Sequence, residues 1–464
     1  MATFKLIFCE AHLIPFAIIL LSTLCINYFI TRKIISLFFG RKLLHFIAVS
    51  CCGLAIQLSP NVVLLSYLFG LFSLLLFGII HTKLLAMQHN KSYGIMLFPL
   101  AFFIIIQSQL CNSSQILFGI YTLAIADVLG GIVGYYYGKP KIIFLAEPKS
   151  ILGYSTFCIV CFAIYCIIFG TQYWHIAIVV ALLTGCVELF SYKGSDNLTI
   201  PIFAPLFAIM VHNYSASLFY INAIAIAILI LLGRLALYKK WLSITGVFAA
   251  VFVGTVVLFL QNYTHLIPLI LFFAMGSLAS ACNHKKEKIE RTALQVFANG
   301  TVAVSCLFIY YFTHNNAYYI AYFASIAISL TDTISSELGK YYKHPTYDIL
   351  TLQPTAVGLS GGISGIGTLA GVVFCVVFAI TNYFIFSFSL LQVSTILLVG
   401  IVGMLTDSVL GSSLQAKYST TNGTITEVET NKLVKGYAWC TNNMVNLLSN
   451  IIVIVVYIVV RLNF

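Results

Sequence analysis

Six acidic residues sit where a charge is expensive. Of the 13 Asp and Glu in this 464-residue chain, Asp127, Glu188, Asp332, Glu337 and Asp407 fall within or at the ends of long apolar runs, and Asp196 opens a shorter one. Inside a bilayer an ionisable side chain costs a few kcal/mol, so it marks a functional site by default. One such acid near a helix end is explained by snorkelling to water or by a loop lysine. All six are expected on one side of the membrane, each beside Gly, Ser, Asn or Lys, and that grouping points to binding chemistry.

The first group is Asp127 with Gly130, Gly134 and Gly138, at offsets of 3, 7 and 11. On a helix these glycines share a face with the carboxylate, which would serve equally as a packing stripe of small residues. The neighbouring basic residues favour chemistry: Lys139 and Lys141, then Lys149-Ser150 and Gly153. Bare glycine backbone, lysines and a hydroxyl beside a buried carboxylate are parts that hold a polyphosphate and its Mg2+. There is no Walker A loop, because Gly134-x3-Gly138-Lys139-Pro140 has the wrong spacing and no Ser or Thr after the lysine.

The second group begins with Arg291, Gln295 and Asn299, a polar stripe at four-residue steps that would serve either a ligand or interhelical hydrogen bonding. Asp332-Thr333-x2-Ser336-Glu337 comes next along the chain. On a regular helix its two carboxylates stand about 140° apart, so they converge on one metal only if the helix unwinds. Gly358, Ser360, Gly361, Gly362 and Ser364 form a glycine-serine loop, either a backbone nest for phosphate or a hinge. Asp407-Ser408-x2-Gly411-x3-Gln415 repeats the pattern of an acid among small residues, and Asn443-x2-Asn446 opens the last helix.

Positioning these groups falls to a chain that is 61% hydrophobic and 8% charged, against roughly 25% charged residues in a soluble protein. A soluble enzyme, a disordered tail and a disulfide scaffold are excluded. Apolar runs suited to about 30 Å of hydrocarbon number about sixteen, near 12–30, 43–58, 62–80, 94–107, 115–136, 152–170, 174–190, 199–212, 217–236, 243–261, 265–282, 295–313, 317–335, 357–380, 386–406 and 443–460. The expected fold is all-α, a polytopic membrane protein in two helical-bundle halves, 1–220 and 221–464. The runs 94–107 and 199–212 are short and carry Pro99, Pro201 and Pro205, so they are candidates for re-entrant or broken helices.

The net charge of +11 raises nucleic acid as a partner, and its placement argues against one. Basic residues such as Arg32, Lys33, Lys42, Lys149, Lys193, Lys240, Lys340 and Lys417 occupy alternate loops, leaving only Lys5 and Arg461 of the 24 elsewhere. The positive-inside rule then puts those loops in the cytoplasm and both termini outside. The first apolar run lacks a small-residue cleavage site and reads as a retained helix. The 13 cysteines lie in or beside apolar runs, Cys158-x2-Cys161 included, and read as packing thiols.

Residues 40–215 resemble the integral-membrane phytol kinase and dolichol kinase family. The resemblance rests on Arg41-Lys42-x2-His45, Lys91-Ser92-Tyr93-Gly94 with Pro99, the Asp127 glycine ladder, Lys149-Ser150 with Gly153, and Glu188 followed by Asp196-Asn197-Leu-Thr-x-Pro201. Leu152 and Tyr154 stand where that family carries Glu and Ser. Residues 235–460 are similar to the membrane phytyl-phosphate kinase family, through Arg291-x3-Gln295-Val-x-Ala298-Asn299-Gly300 and Asp332-Thr333-x2-Ser336-Glu337-x-Gly339. Asn442-Asn443 stands where that family often has Asn-Asp.

Together the resemblances imply a bifunctional salvage kinase. It would convert a prenyl alcohol of phytol, geranylgeraniol or farnesol type to a monophosphate and then a diphosphate, with CTP as phosphoryl donor and Mg2+, the tail staying in the lipid bilayer. In the first site they imply Mg2+ or base roles for Asp127, Glu188 and Asp196, and phosphate or nucleotide contacts for Lys139, Lys149, Ser150, Gly153 and Asn197. In the second they imply Mg2+ on Asp332, Glu337 and Asp407, the monophosphate on Arg291 with Gln295 and Asn299, and nucleotide phosphates on Gly358–Ser364. Two other readings stay open. A secondary transporter also uses intramembrane carboxylates and broken helices, though it needs charges near the midplane and two related halves. A lipid cytidylyltransferase would use CTP differently and release diphosphate.

Overall fold

Only a helix satisfies its own backbone N–H and C=O groups where no water is at hand, and each long apolar run here becomes one. The computed structural model describes residues 10–80, 93–144, 147–212, 216–282, 290–342, 344–420, 424–429 and 432–463; Lys5, Lys91 and Ser92 lie outside them. The chain folds as two units, Met1–Ser215 and Ala216–Phe464. The first holds α1 (Glu10–Thr31), α2 (Leu37–Leu58), α3 (Val62–Ile80), α4 (Gly94–Gln107), α5 (Ser113–Tyr136), α6 (Ile151–Phe169), α7 (Trp174–Leu189) and α8 (Asp196–His212). The second holds α9 (Ala216–Tyr238), α10 (Ile244–Leu260), α11 (Leu266–Cys282), α12 (Ala293–Thr313), α13 (Asn316–Tyr342), α14 (Gly365–Phe386), α15 (Leu390–Ser413) and α16 (Asn442–Asn463).

This is an all-α polytopic membrane fold. Among the described residues ten helices are long and apolar enough to cross a membrane: α2, α5, α6, α7, α9, α11, α12, α14, α15 and α16. Their outer faces expose Leu54, Ile167, Leu231 and Leu398, a surface suited to the hydrocarbon of a bilayer. The short runs are unbroken helices, α4 of 14 residues and α8 of 17, about 21 and 25 Å long at 1.5 Å per residue. Pro205 has no N–H for the carbonyl of Pro201, and Gly119 of α5 lies against that carbonyl, where a Cβ would stand 2.9 Å from the oxygen. The described cysteines are all free thiols.

In the first unit α5 is the central element, and it is not a regular helix. Thr122–Asp127 winds as a π-helix, a local widening that recurs at functional sites. This segment packs against α2, α6 and α8 and leaves Asp127 at its end. In the second unit α13 is the hub, packed against α11, α12, α14, α15 and α16. Its stretch from Ile320 to Thr331 is buried throughout.

Three small antiparallel pieces join helices at the ends of the units. β1 (Lys141–Phe144) pairs with β2 (Glu147–Ser150), Lys141 opposite Ser150. β3 (Tyr347–Asp348) pairs with β4 (Gly362–Ile363), and β5 (Lys417–Ser419) lies between β6 (Ile425–Thr426) and β7 (Lys432–Lys435). Where a helix was expected from residue 357, the chain turns instead, because Gly358 and Gly361 adopt φ of +87° and +84°. The helix starts only after Ser364, whose hydroxyl caps it.

Candidate functional site

In the first unit a lysine from α2 finds the acid on α5. Lys42 Nζ lies 2.8 Å from Asp127 Oδ2 and 3.4 Å from the Asp127 carbonyl. Gly131 leaves the room for that arm, since a Cβ there would stand 2.8 Å from Lys42 Cε and Nζ. His45, nearly one turn further along α2, places Nε2 3.8 Å from the same carboxylate oxygen. From β2, Lys149 Nζ reaches Glu188 Oε1 at 2.7 Å, near the end of α7. Asp196 opens α8, accepts the Asn197 N–H at 2.9 Å and takes part in none of the ion pairs among the described residues.

These groups form one electrostatic cluster: the charges of Lys42, Lys149, Asp127, Glu188 and Asp196 act on one another. Burial works against the Lys149 ammonium, but Glu188, and behind it Asp196 and Asp127, hold its pKa above the ordinary lysine value. The backbone frame closes around them. Asn197 Nδ2 donates to the Gly94 carbonyl at 2.9 Å, and the Lys193 N–H donates to Glu147 Oε1 at 2.7 Å.

The glycine ladder does not line this cluster. A Cβ on Gly130 would lie 3.0 Å from the Gly153 carbonyl, one on Gly134 would lie 3.0 Å from Ser150 Oγ, and one on Gly138 would overlap Ser150. Helix-to-helix packing is the use the geometry makes of these glycines. Ser150 Oγ accepts the Gly153 N–H at 3.1 Å as the N-cap of α6. Ser150 and Gly153, expected at phosphate, are thus engaged by the start of a helix. Lys139 is exposed and belongs to none of the described ion pairs.

In the second unit the charge of Asp332 on α13 acts on Asp407 on α15, and that of Glu337 acts on Asp332. Asp407 Oδ2 accepts the Ser449 hydroxyl at 3.0 Å. Arg291, just before α12, donates to Ser280 Oγ at 3.2 Å and is acted on by the charge of Glu337. Its backbone is pinned to the start of α10, its N–H on the Trp241 carbonyl at 3.1 Å and its carbonyl on the Ser243 N–H at 3.0 Å. Helix α13 runs without interruption through Asp332 and Glu337. The two carboxylates therefore stay about 140° apart, and a shared ion, which needed an unwound helix, is not what this geometry offers. Among the described residues no three His, Cys, Asp or Glu side chains converge as a metal-binding group.

The Arg291–Asn299 stripe divides into three different uses. Gln295 Oε1 accepts the Thr292 N–H at 3.0 Å, closing a capping box at the start of α12. Asn299 Oδ1 accepts from Asn446 Nδ2 at 3.2 Å, and its carbonyl accepts the Ser329 hydroxyl at 2.9 Å. Further along α16, Asn450 Nδ2 donates to the Ser325 carbonyl and to Ser329 Oγ, each at 3.1 Å. Gln295 and Asn299 are thereby committed to capping and interhelical bonding, and Arg291 alone carries charge.

The Gly358–Ser364 loop is a fixed turn, not an open nest. Gly361 lies against the backbone of Ser412, 2.5 Å from where a Cβ would be. Ser412 Oγ donates to Asp348 Oδ2 at 2.6 Å, and Asp348 Oδ1 accepts the Leu350 and Thr351 N–H groups at 3.0 Å each. Partial burial works against the Asp348 carboxylate, yet these donors and the charge of Lys435 hold its pKa at about 2. The Ser360 N–H donates to a Glu427 oxygen, and its carbonyl accepts Lys417 Nζ at 2.8 Å. Gly362 pairs with Asp348 between β4 and β3, and Ser364 Oγ accepts the Gly367 N–H at 3.2 Å. Glu427 occupies the Ser360 N–H, one of the loop amides that a phosphate nest would use.

Four partners carry no site signature in the sequence alone: Gly131, Asp348, Glu427 and Ser449. Lys42 belongs to the Arg41-Lys42-x2-His45 motif, which assigned it no role. Asp348 and Glu427 lie in polar loops whose pairing is set by contacts far along the chain.

The fold and these clusters define an integral membrane protein that gathers acids, lysines and an arginine at the ends of apolar bundles. The family model described as Integral membrane protein DUF92 matches residues 227–454, within the second unit. An uncharacterized membrane protein of Methanocaldococcus jannaschii is 30% identical over 203 residues, 42% of this chain and 83% of that one. The chain belongs to this DUF92 family of integral membrane proteins. The chloroplastic protein VTE6 of Arabidopsis thaliana is 24% identical over 249 residues, 51% of this chain and 70% of its own. An uncharacterized membrane protein of Synechocystis is 38% identical over 101 residues, 21% of this chain and 38% of its own. No solved structure matches the chain.

Proposed function

We propose that this chain phosphorylates isoprenoids in the membrane. The first unit takes a prenyl alcohol to its monophosphate, and the second takes the monophosphate to the diphosphate, with CTP or another nucleoside triphosphate as donor. The observation that carries the reading is the gathering of Asp332 and Asp407, with Arg291 and Glu337, in a bundle whose exterior is apolar. Such a site suits a charged head group on a tail that stays in lipid. The resemblance of the Arg291–Gly300 and Asp332–Gly339 motifs to phytyl-phosphate kinases supports the same reading.

In both reactions an oxygen of the acceptor attacks the γ-phosphorus, the bond to the β,γ-bridging oxygen breaks, and a nucleoside diphosphate leaves. In the second unit the acceptor is a phosphate monoester, which carries about −1.5 to −2 charge near neutral pH. It needs a counter-charge more than a base, and Arg291 offers the planar fork suited to phosphate. In the first unit the acceptor is an alcohol whose proton must go to a base. Asp196 fits that role, because Lys42 and Lys149 are bonded to Asp127 and Glu188. Those lysines have the charge and position to turn to phosphate oxygens.

Asp332 and Asp407 in the second unit, and Asp127 in the first, would hold Mg2+, which takes one or two carboxylates and fills its other positions with water and phosphate. The ion would offset charge on the transferred group. The alternating basic loops support sites that face the cytoplasm. The test is purified protein in lipid nanodiscs with labelled prenols or prenyl monophosphates and each nucleoside triphosphate, products resolved by mass spectrometry. From a supplied prenyl monophosphate one nucleoside diphosphate is expected per prenyl diphosphate, and from a prenol two. Release of inorganic diphosphate would mark cytidylyl transfer, and no nucleotide-dependent product would end the kinase reading.

A further inference from the structure

A cavity of about 390 Å³ opens in the second unit where the starts of α12 and α16 meet the strands β5 and β6. Its walls carry the amides of Gln295, Gln415 and Asn443, the carboxylates of Glu427 and Glu429, and the ring of Tyr418. Among the described residues no Lys, Arg or His lines it, so no described side chain of the lining offers phosphate a counter-charge. Gln415 is 2% exposed, and its Oε1 has no hydrogen-bond partner among the described residues. A buried acceptor in that state is unfavourable until a donor reaches it. Gln295 has its oxygen engaged by Thr292, so its N–H2 is what it offers the cavity.

The lining therefore presents acceptors at Gln415 and Glu429, donors at Gln295, and a flat ring. Its complement is a planar heteroaromatic ring with an amino group beside ring acceptors. Cytosine and adenine carry that amino donor. Uracil has a carbonyl in its place and would set acceptor against acceptor, a mismatch that buried polar sites reject strongly. Resting on the kinase reading, we infer that this cavity takes the base of the nucleoside triphosphate and selects cytosine or adenine over uracil.

The surroundings agree with that use. Asn443 stands six residues before Ser449 on α16, about 9 Å along the axis, and Ser449 holds Asp407. A nucleotide with its base in the cavity can run its phosphates toward Asp407 and Asp332. Glu427 joins the cavity wall to the glycine loop through the Ser360 N–H.

The experiment is equilibrium dialysis of the full chain in nanodiscs against labelled CTP, ATP, UTP and inorganic tripolyphosphate, beside prenyl-phosphate turnover. Wild type should bind CTP or ATP at least tenfold more tightly than UTP. Asn443→Ala and Glu429→Ala, both at the rim, should cut that preference below threefold while tripolyphosphate binding is unchanged. Gln415→Glu, which keeps the acceptor and loses the N–H2, should retain discrimination against UTP. Rim variants that turn prenyl phosphate over with an unaltered base preference would overturn the cavity assignment and leave the kinase reading standing. Binding of Mg2+ alone that is lost in Glu429→Ala would also overturn it, in favour of a cation site. A wild type that neither binds nor consumes any nucleotide would overturn both.

Discussion

Lys42 and Asp127, 85 positions apart in sequence, meet at 2.8 Å between α2 and the π-segment of α5. The Asp127 side chain is 7% exposed and that of Lys42 21%. Removing one partner of a buried ion pair costs about 3–5 kcal/mol, less where water reaches the pair. Lys42→Met is therefore expected to destabilise the protein by about 2–3 kcal/mol, and adding Asp127→Asn should recover most of the loss. On the kinase reading each single variant abolishes phosphorylation of a prenyl alcohol and spares phosphorylation of supplied prenyl monophosphate. Melting of the purified variants and product analysis check the two parts separately; equal melting of wild type and Lys42→Met would show that the pair contributes nothing.

Gly131 separates the site from the helix that carries it. Alanine is the better helix former by about 1 kcal/mol, but at Gly131 its Cβ would stand 2.8 Å from Lys42 Cε and Nζ. The lysine is the flexible party and moves. Gly131→Ala is expected to melt within a few degrees of wild type while alcohol phosphorylation falls more than tenfold. Gly78→Ala, with nothing within 4 Å of the new Cβ, is the control that should leave both unchanged. A Gly131→Ala protein with full first-step activity would detach Lys42 from the chemistry.

Asp407 and Ser449 allow the second site to be graded. Asp407 lies within the field of Asp332 and accepts the Ser449 hydroxyl at 3.0 Å. Asp407→Asn should lower diphosphate formation more than 100-fold with the monophosphate yield intact. Ser449→Ala removes one hydrogen bond, worth about 1.5–3 kcal/mol to a charged group, and should lower the same step by less than the acid does. Equal losses in both steps from Asp407→Asn would argue for misfolding and against a role confined to the second unit.

Much of this is legible in the sequence because burying charge in lipid is costly. The apolar runs mark the sixteen helices, and the same cost brings Asp127, Glu188 and Asp196 out as a group without any knowledge of their contacts. Spacing misleads where a small residue serves packing as well as binding. The ladder Gly130, Gly134 and Gly138 faces α6, whereas Gly131, one position off that face, makes room for Lys42. The π-segment at Thr122–Asp127 leaves no mark in an apolar sequence. The strands β3 and β4, two residues each, are too short for alternation to register. Gln295 illustrates the remaining ambiguity: a polar residue one turn into a helix serves a cap or a ligand with the same letter.

Asp348 gives a prediction on the acid side of neutrality. Its pKa is held at about 2 by the Ser412 hydroxyl, the Thr351 and Leu350 amides and Lys435, against partial burial; an unfolded aspartate titrates near ~3.9. A carboxyl depressed in the folded state binds its proton more readily when unfolded, so its stabilisation is full above the unfolded value and lost as pH falls toward the folded one. The wild type should therefore lose stability between about pH 4 and 2 through this group, and Asp348→Asn should lack that component. Because the site is partly open to water, the difference is best read as the gap between the two melting curves across pH 6 to 2 in one detergent. The gap should be widest at pH 6 and close as the pH approaches 2. A constant gap over the whole range would mean that the Ser412 contact does not hold the ionised form.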